Sequence, residues 1–162
     1  GGSQGNEWEA DAFDQSIVVN LSSVFHLSSA CKELLSASPF PGGASVVGIA
    51  SMTSYFGFEW TPGYGPAKAG LVQLIKTLGM SWGQLGIRAN AVGPGMLTEG
   101  MAEELITRGE YSQNDLDIAT QNIPLKRFGN AVDVAEAVCF LASKRANYIS
   151  GQILNIDGGY TA

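Results

Sequence analysis

The chain has 162 residues, 45% hydrophobic and 15% charged, which is the size and composition of one ordered domain and not of a disordered tail. Nine basic against fifteen acidic residues leave a net charge of −6, which repels a phosphate backbone and argues against a nucleic-acid partner. No run reaches the roughly 18 apolar residues of a membrane span, no charged-then-apolar leader opens the chain, and Cys31 and Cys139 lie far apart without metal-ligand or disulfide-framework spacing. The expectation is a cytoplasmic protein without membrane or metal, its two thiols free and buried.

Residues 1–9 are rich in glycine and acid and read as loop or fray. From 11 to 36 the apolar positions Phe13, Ile17, Leu21, Val24, Phe25, Leu27 and Leu35 suit one or two helical segments, stopped by Pro39 and Pro41-Gly42-Gly43. The short apolar run 45–51 reads as a strand buried on both faces. After a loop at 52–61, Pro62 opens a helix to about residue 84, with the stripe Leu71, Val72, Ile75, Leu78 and Trp82 and with Gly86 as its C-terminal cap. Residues 87–92 form a second strand, ended by Gly93-Pro94-Gly95. The segment 96–129 reads as polar and irregular, with a short helix at 101–108. Asn130 and Asp133 cap a helix through Val134, Val138 and Leu141. The last strand, 152–156, is closed by Asp157-Gly158-Gly159.

Strands separated by helices imply a parallel, doubly wound α/β sheet with right-handed crossovers. Helices 11–36 and 62–84 are expected on one face of it and helix 131–142 on the other. The long segment after Pro94-Gly95 is the natural candidate for a lid.

Tyr64 and Lys68 stand four apart at the start of a helix and so share a face. An ammonium beside a phenol favours phenolate and lowers the tyrosine pKa, making it a proton donor and acceptor. Taken alone, such a pair is as readily a solvated surface pair. Ser51 ends a strand at the carboxyl edge of the sheet, where open α/β folds bind ligands, and its hydroxyl there could stabilise charge on a substrate oxygen. Taken alone, a strand-end serine more often satisfies turn backbone.

Read together, Ile49-Ala50-Ser51, Tyr64-Gly65-Pro66-Ala67-Lys68-Ala69-Gly70 and the stretch from Gly86 to Gly95 resemble the short-chain dehydrogenase/reductase family in order and spacing. So do Pro124-Leu125-Lys126-Arg127-Phe128-Gly129, Ser150-Gly151-Gln152 through Asp157-Gly158-Gly159, and, upstream, Val19-Asn20-Leu21-Ser22-Ser23-Val24-Phe25. The likeness runs from about Phe13 to Ala162 and is strongest to the classical subgroup, which holds 3-oxoacyl-thioester reductases and alcohol and polyol dehydrogenases.

The resemblance implies an NAD- or NADP-dependent oxidoreductase acting on a small-molecule carbonyl or secondary alcohol. Tyr64 would be the general acid/base. Lys68 would hold the nicotinamide ribose and depress the Tyr64 pKa. Ser51 would orient the substrate oxygen, and Asn20 would hold a water linking Lys68 to solvent. Without the resemblance, Asn20 reads as an asparagine that interrupts a helix by local backbone bonding. Pro94, Gly95, Met96, Leu97 and Thr98 would face the cofactor, with Gly95 permitting close approach to the nicotinamide. The family's threonine four residues after Pro-Gly is here Glu99, with Thr98 one position early. The family's paired helices imply a homo-oligomer, dimer or tetramer.

No Gly-x-Gly-x-x-Gly follows a strand. In the family that phosphate-binding turn would precede residue 11. Residues 1–162 are therefore expected to be a single incomplete Rossmann-like domain, its carboxyl-terminal part, lacking the amino-terminal dinucleotide-binding half and inactive by itself. An alternative from another class is an association-only protein using the helices 11–36 and 62–84, against which the intact Ser51, Tyr64 and Lys68 speak. A third is an enzyme split into two chains. Loops 52–61 and 96–125 should set the substrate, with Phe56, Phe58, Trp60, Met96 and Leu97 suggesting an apolar pocket or a packed loop.

Overall fold

The computed structural model describes residues 6–99, 107 and 112–162 and builds them on three parallel strands, β1 (Ala44–Ile49), β2 (Ile87–Pro94) and β3 (Ile153–Ile156), in the order β1-β2-β3. Ala44 pairs with Ile87 and Ile49 with Val92. On the other side of β2, Ala91 pairs with Ile153 and Pro94 with Ile156. This is the parallel arrangement that the alternation of strands and helices implies.

Strand β2 is central, and every residue from Ile87 to Gly93 is buried. Alternation along it sends side chains to opposite faces. Ile87, Ala89 and Ala91 pack with Leu71, Ile75, Leu78 and Trp82 of helix α4 (Tyr64–Trp82), behind which sit Leu21, Val24 and Leu35. Val92 packs on the other face with Leu141, Val134 and Val138 of a helix spanning Ala131–Ala142. The two alanines are small enough to bring α4 close. At Gly48 of β1 an added Cβ would lie 3.2 Å from Ile75 Cδ1. The faces are those that the apolar stripes imply. Among the described residues, no helix is long and apolar enough to cross a membrane.

The segment expected as one or two helices comes as α1 (Ala10–Ile17), a π turn (Val18–Ser22), α2 (Ser23–Ala30) and α3 (Lys32–Ser36). Asn20 lies in the π turn, and its amide nitrogen donates to the Ser16 carbonyl, four residues back, at 3.0 Å. A side-chain donor competing for a helix carbonyl is the physical companion of such a bulge. Helix α4 begins at Tyr64, two residues after Pro62, and closes through a 3-10 turn on Gly86, whose φ of 72° is the left-handed cap its glycine allows.

Several expectations are corrected. Glu7 is not frayed: it is only 4% exposed. Strand β1 stops at Ile49, because Ser51 already caps a 3-10 turn (Met52–Ser54). It is not buried on both faces: Val46 and Val47 are half-buried and Ile49 is 46% exposed, since among the described residues β1 pairs only with β2. A helix, α5 (Gln113–Asn122), stands in the stretch read as irregular; Ser112 and Asp115 form its capping box. The helix expected at 101–108 falls, Thr107 apart, outside the described residues. Helix α6 (Ala131–Ala142) carries the anticipated Asn130–Asp133 box, with both bonds at 2.9 Å. Both cysteines are free thiols, but Cys31 is half-buried and Cys139 exposed, on the side of α6 away from its apolar stripe.

Two polar residues in β2 tie the layers together. Arg88, 6% exposed, donates from Nε to the Gly42 carbonyl (3.2 Å), from Nη1 to Leu141 (2.9 Å) and Ile149 (3.4 Å), and from Nη2 to Ser143 (3.3 Å). Asn90 donates to Ile149 (2.8 Å) and accepts from the Gln152 amide (3.0 Å). Arg88→Met keeps the apolar stem but strips four carbonyls of their donor. We expect a loss of about 3 kcal/mol or more in urea unfolding, because each buried acceptor left unpaired carries its own desolvation cost. A loss below about 1 kcal/mol would mean that the loops find other donors.

Candidate active site

The parallel register brings the carboxyl ends of β1 and β2 to one edge, and the candidate residues gather there. Ser51, 8% exposed, leaves β1 and caps the following turn. Its Oγ accepts from the Thr53 amide (3.2 Å) and hydroxyl (3.0 Å). The turn-satisfying role and the site role thus coexist on one hydroxyl, since the Ser51 side chain also lies close enough to the Tyr64 phenol to pull its proton affinity down. Tyr64 is the first residue of α4. Lys68, one turn on and 9% exposed, places Nζ over the Tyr64 ring at 5.4 Å from its centroid and donates to the Ile49 carbonyl at 2.7 Å. Ser51, Tyr64 and Lys68 therefore converge.

Their electrostatics differ from the sequence expectation. Burial pushes the Tyr64 phenol above its ordinary value of 10.0; the Ser51 hydrogen bond works against this and the negative charge of Glu7 adds to it. Burial also pulls the Lys68 ammonium below 10.5. Lys68 does not bring the Tyr64 pKa below its ordinary value in this arrangement, because burial is the larger influence. Its nitrogen lies over the ring face and spends a donor on a strand carbonyl, while the low-dielectric surroundings disfavour both charged forms.

Asn20 is buried in the π turn of the layer packed on α4, with its amide engaged by the Ser16 carbonyl and, at 3.5 Å, the Ser16 hydroxyl, not by Lys68. The helix-interrupting alternative describes what its side chain does here.

Glu7 is the residue that sequence reasoning missed. Its Oε2 accepts from the amides of Gly63 (3.0 Å) and Tyr64 (2.9 Å), and its Oε1 from the Ser16 hydroxyl (3.0 Å). Those amides are orphan donors of the α4 amino terminus, and Gly63 has no side chain with which to cap them. No local spacing could reveal this, because donor and acceptor are more than fifty positions apart.

The loop after β2 is held by protein. Pro94 ends β2, and the Gly95 amide donates to Ile156 (2.9 Å). A Cβ at Gly95 would sit 2.7 Å from Asp157 Cα, so one close approach that requires glycine is to the Asp157 backbone. Leu97 pairs with Gly129, and the Thr98 amide donates to the Gly129 carbonyl (2.9 Å). The exposed Thr98 hydroxyl donates to Glu99 Oε2 (2.9 Å), which also accepts from the Ala131 amide (3.1 Å) at the start of α6. Glu99, standing where a threonine was expected, thereby serves a helix terminus.

Two clefts flank this edge. One, of about 410 Å³, is walled by loop residues 53–58 and by Thr61, Pro62 and the outer side of α4 at Gly65, Pro66 and Ala69. The other, of about 540 Å³, lies between Met96, Pro124, Leu125 and the turn 155–159. Phe56 and Phe58 line the first and Met96 the second. Trp60 packs edge-on against Phe58 (5.3 Å) and is exposed, and Leu97 lines neither cleft. Tyr55 lines the first cleft and Asn155 the second, where Asn155 Oδ1 is buried without a hydrogen-bond partner among the described residues. Phe56 meets Tyr160 at 5.7 Å, closing the carboxyl-terminal turn onto the loop.

The family model described as enoyl-(acyl carrier protein) reductase matches residues 3–161. A tropinone reductase homolog of Arabidopsis thaliana is 36% identical over 155 residues, covering 96% of this chain and 57% of that protein. The 3-oxoacyl-[acyl-carrier-protein] reductase of Buchnera aphidicola is 36% identical over 147 residues, covering 91% and 57%. A gluconate 5-dehydrogenase from Burkholderia cenocepacia, solved with NADP and tartrate, superposes with a TM-score of 0.84 at 27% identity, covering 94% of this chain and 57% of that one. The chain thus spans a little over half the length of each of these three proteins.

Asp157 organises the turn beside Gly95. It accepts from Gly159 and Thr161 amides (3.0 Å each) and from the Thr161 hydroxyl (2.5 Å). Burial works to raise its pKa, but these bonds, with one from Tyr160, hold it below 3.8. The stability it contributes is complete above the unfolded carboxylate value, about 3.9, and is lost as pH falls through the lower folded value. Asp157→Asn should therefore destabilise near neutral pH, and its unfolding curve should converge with that of the unaltered chain in acid. Parallel curves at every pH would remove the charge from the account.

Proposed function

The chain belongs to the short-chain dehydrogenase/reductase family, and we propose that its residues form the proton-transfer half of an oxidoreductase that exchanges hydride between a nicotinamide cofactor and a carbonyl or secondary alcohol. The observation that carries this reading is the convergence of Ser51, Tyr64 and Lys68 at one sheet edge. An association-only protein has no physical need for that trio.

The residues fit the nicotinamide-ribose end of such a cofactor. Lys68 spends one of three N–H donors on the Ile49 carbonyl, leaving two for ribose hydroxyls. When bound, NAD or NADP supplies or accepts the hydride at the carbonyl carbon. Tyr64 gives its phenolic proton to the carbonyl oxygen in reduction and takes the hydroxyl proton in oxidation, so one proton and one hydride balance each turnover. Ser51 donates to the same oxygen and holds it against the phenol. The raised proton affinity of the half-buried phenol keeps Tyr64 protonated, the form from which reduction draws its proton.

The substrate reading extends to a 3-oxoacyl thioester or an alcohol or polyol, entering along the aromatic wall of Phe56 and Phe58. We further place the protein in the cytoplasm, on its free thiols. Homo-oligomer contacts are assigned to the helices, where Val18, Val19, Phe25, Leu27 and Met80 are exposed. The 162 residues by themselves are read as inactive, because they contain no glycine-rich turn opening a helix after a strand to hold a pyrophosphate.

In an active protein carrying this chain, Tyr64→Phe should lower kcat by about 10²- to 10⁴-fold without a change in unfolding midpoint. Retention of most of kcat would remove Tyr64 as the acid/base. Titration of the 162-residue chain with NADH and NADPH, followed by calorimetry, should give no micromolar binding. A micromolar Kd for either would overturn the reading of these residues as insufficient for the cofactor.

A further inference from the structure

We propose that Glu7 is a positioning residue for the Tyr64 proton-transfer group, its buried carboxylate fixing the first turn of α4 and with it the phenol that this turn carries. The inference rests on the catalytic reading of Tyr64 but is tested without turnover.

Helix α4 starts without a cap of its own. Its N-cap position is Gly63, and no side chain bonds there from within the helix. The orphan amides of Gly63 and Tyr64 are met by Glu7 Oε2, whose negative charge also suits the positive end of the helix dipole. Glu7 is in turn held by Ser16 through Oε1, and Ser16 receives the Asn20 amide on its carbonyl and hydroxyl. A relay of buried polar groups therefore runs from the π turn through Ser16 and Glu7 to the backbone of Tyr64. Gly63 is the spacer this requires: a Cβ there would lie 2.9 Å from Ser16 Cβ and 3.2 Å from the Phe13 carbonyl.

The consequence is positional and electrostatic. A phenol carried on the first helical residue moves with that residue, and misplacement by about 1 Å is enough to cost about a hundredfold in rate. The charged groups that face it are Glu7 from the amino-terminal segment and Lys68 from α4; Ser51, at the end of β1, brings an uncharged hydroxyl. Glu7 opposes phenolate formation and so biases Tyr64 toward its protonated, proton-donating form.

Two variants separate the cap from the charge. Glu7→Gln keeps a carbonyl oxygen for the two amides and removes the charge, whereas Glu7→Ala removes both. Hydrogen-exchange mass spectrometry of a peptide spanning residues 62–66 should show exchange about 5- to 30-fold faster in Glu7→Ala, the loss expected of a missing cap, and near-normal exchange in Glu7→Gln. Carbon-13 NMR of ring-labelled tyrosine, assigned with Tyr64→Phe, should show Tyr64 titrating at lower pH in Glu7→Gln than in the unaltered chain. Should Glu7→Gln fail to fold, Ser16→Ala keeps the charge, loosens the carboxylate and should also speed exchange of the same peptide. Unchanged exchange in Glu7→Ala or Ser16→Ala, or an unchanged Tyr64 titration in Glu7→Gln, overturns the proposal. A catalytic reading that failed would show instead as retained turnover in Tyr64→Phe.

Discussion

Everything at the site depends on a guanidinium inside the sheet. Arg88 stands in the central strand with its charge out of water and is admitted only because four backbone carbonyls, from Gly42, Leu141, Ser143 and Ile149, converge on it. Those carbonyls belong to the turn before β1, the end of α6 and the approach to β3. One side chain thereby gathers the segments that deliver both neighbouring strands, and Asn90 completes the junction by bonding the entry to β3. With both neighbours locked to β2, their carboxyl ends emerge together. Ser51, Pro94-Gly95 and Asp157 are brought to one edge by a constraint applied at the other.

At that edge, burial governs the chemistry more than pairing does. A phenol and an ammonium in water would each hold its reference proton affinity; here desolvation raises the first and lowers the second, favouring the neutral forms of both. The ammonium lies over the aromatic face, and its shortest bond is to a strand carbonyl. Glu7 presses in the same direction from the other end of the tyrosine. The result is a proton held on Tyr64 near the Ser51 hydroxyl.

The turn 155–161 shows how structural and functional demands share residues. Asp157 binds its own turn and fills the space beside Gly95, Asn155 bonds Thr161, and Tyr160 packs on Phe56. The loop that walls one cleft is therefore coupled to the strand end that walls the other.

Much of this was legible in the residues themselves. Apolar runs bounded by Gly and Pro marked the three strands, the Leu71–Ile75–Leu78–Trp82 stripe marked α4 and its buried side, and Gly86 and the Asn130–Asp133 box marked helix ends, because strand and helix periods and caps are set by neighbours within a few positions. The spacing of Tyr64 and Lys68 placed both on one helical face for the same reason. Helix α5 was within reach too, through Ser112 and Asp115, but its weakly apolar sequence hid it. What local order could not carry was decided by tertiary contacts: Glu7 as the cap of a helix more than fifty residues away, Asp157 as a reason for Gly95, the exposure of Cys139, and the direction in which Tyr64 and Lys68 shift. Each depends on which distant groups share a volume and how little water is left in it, and a sequence specifies that only by folding.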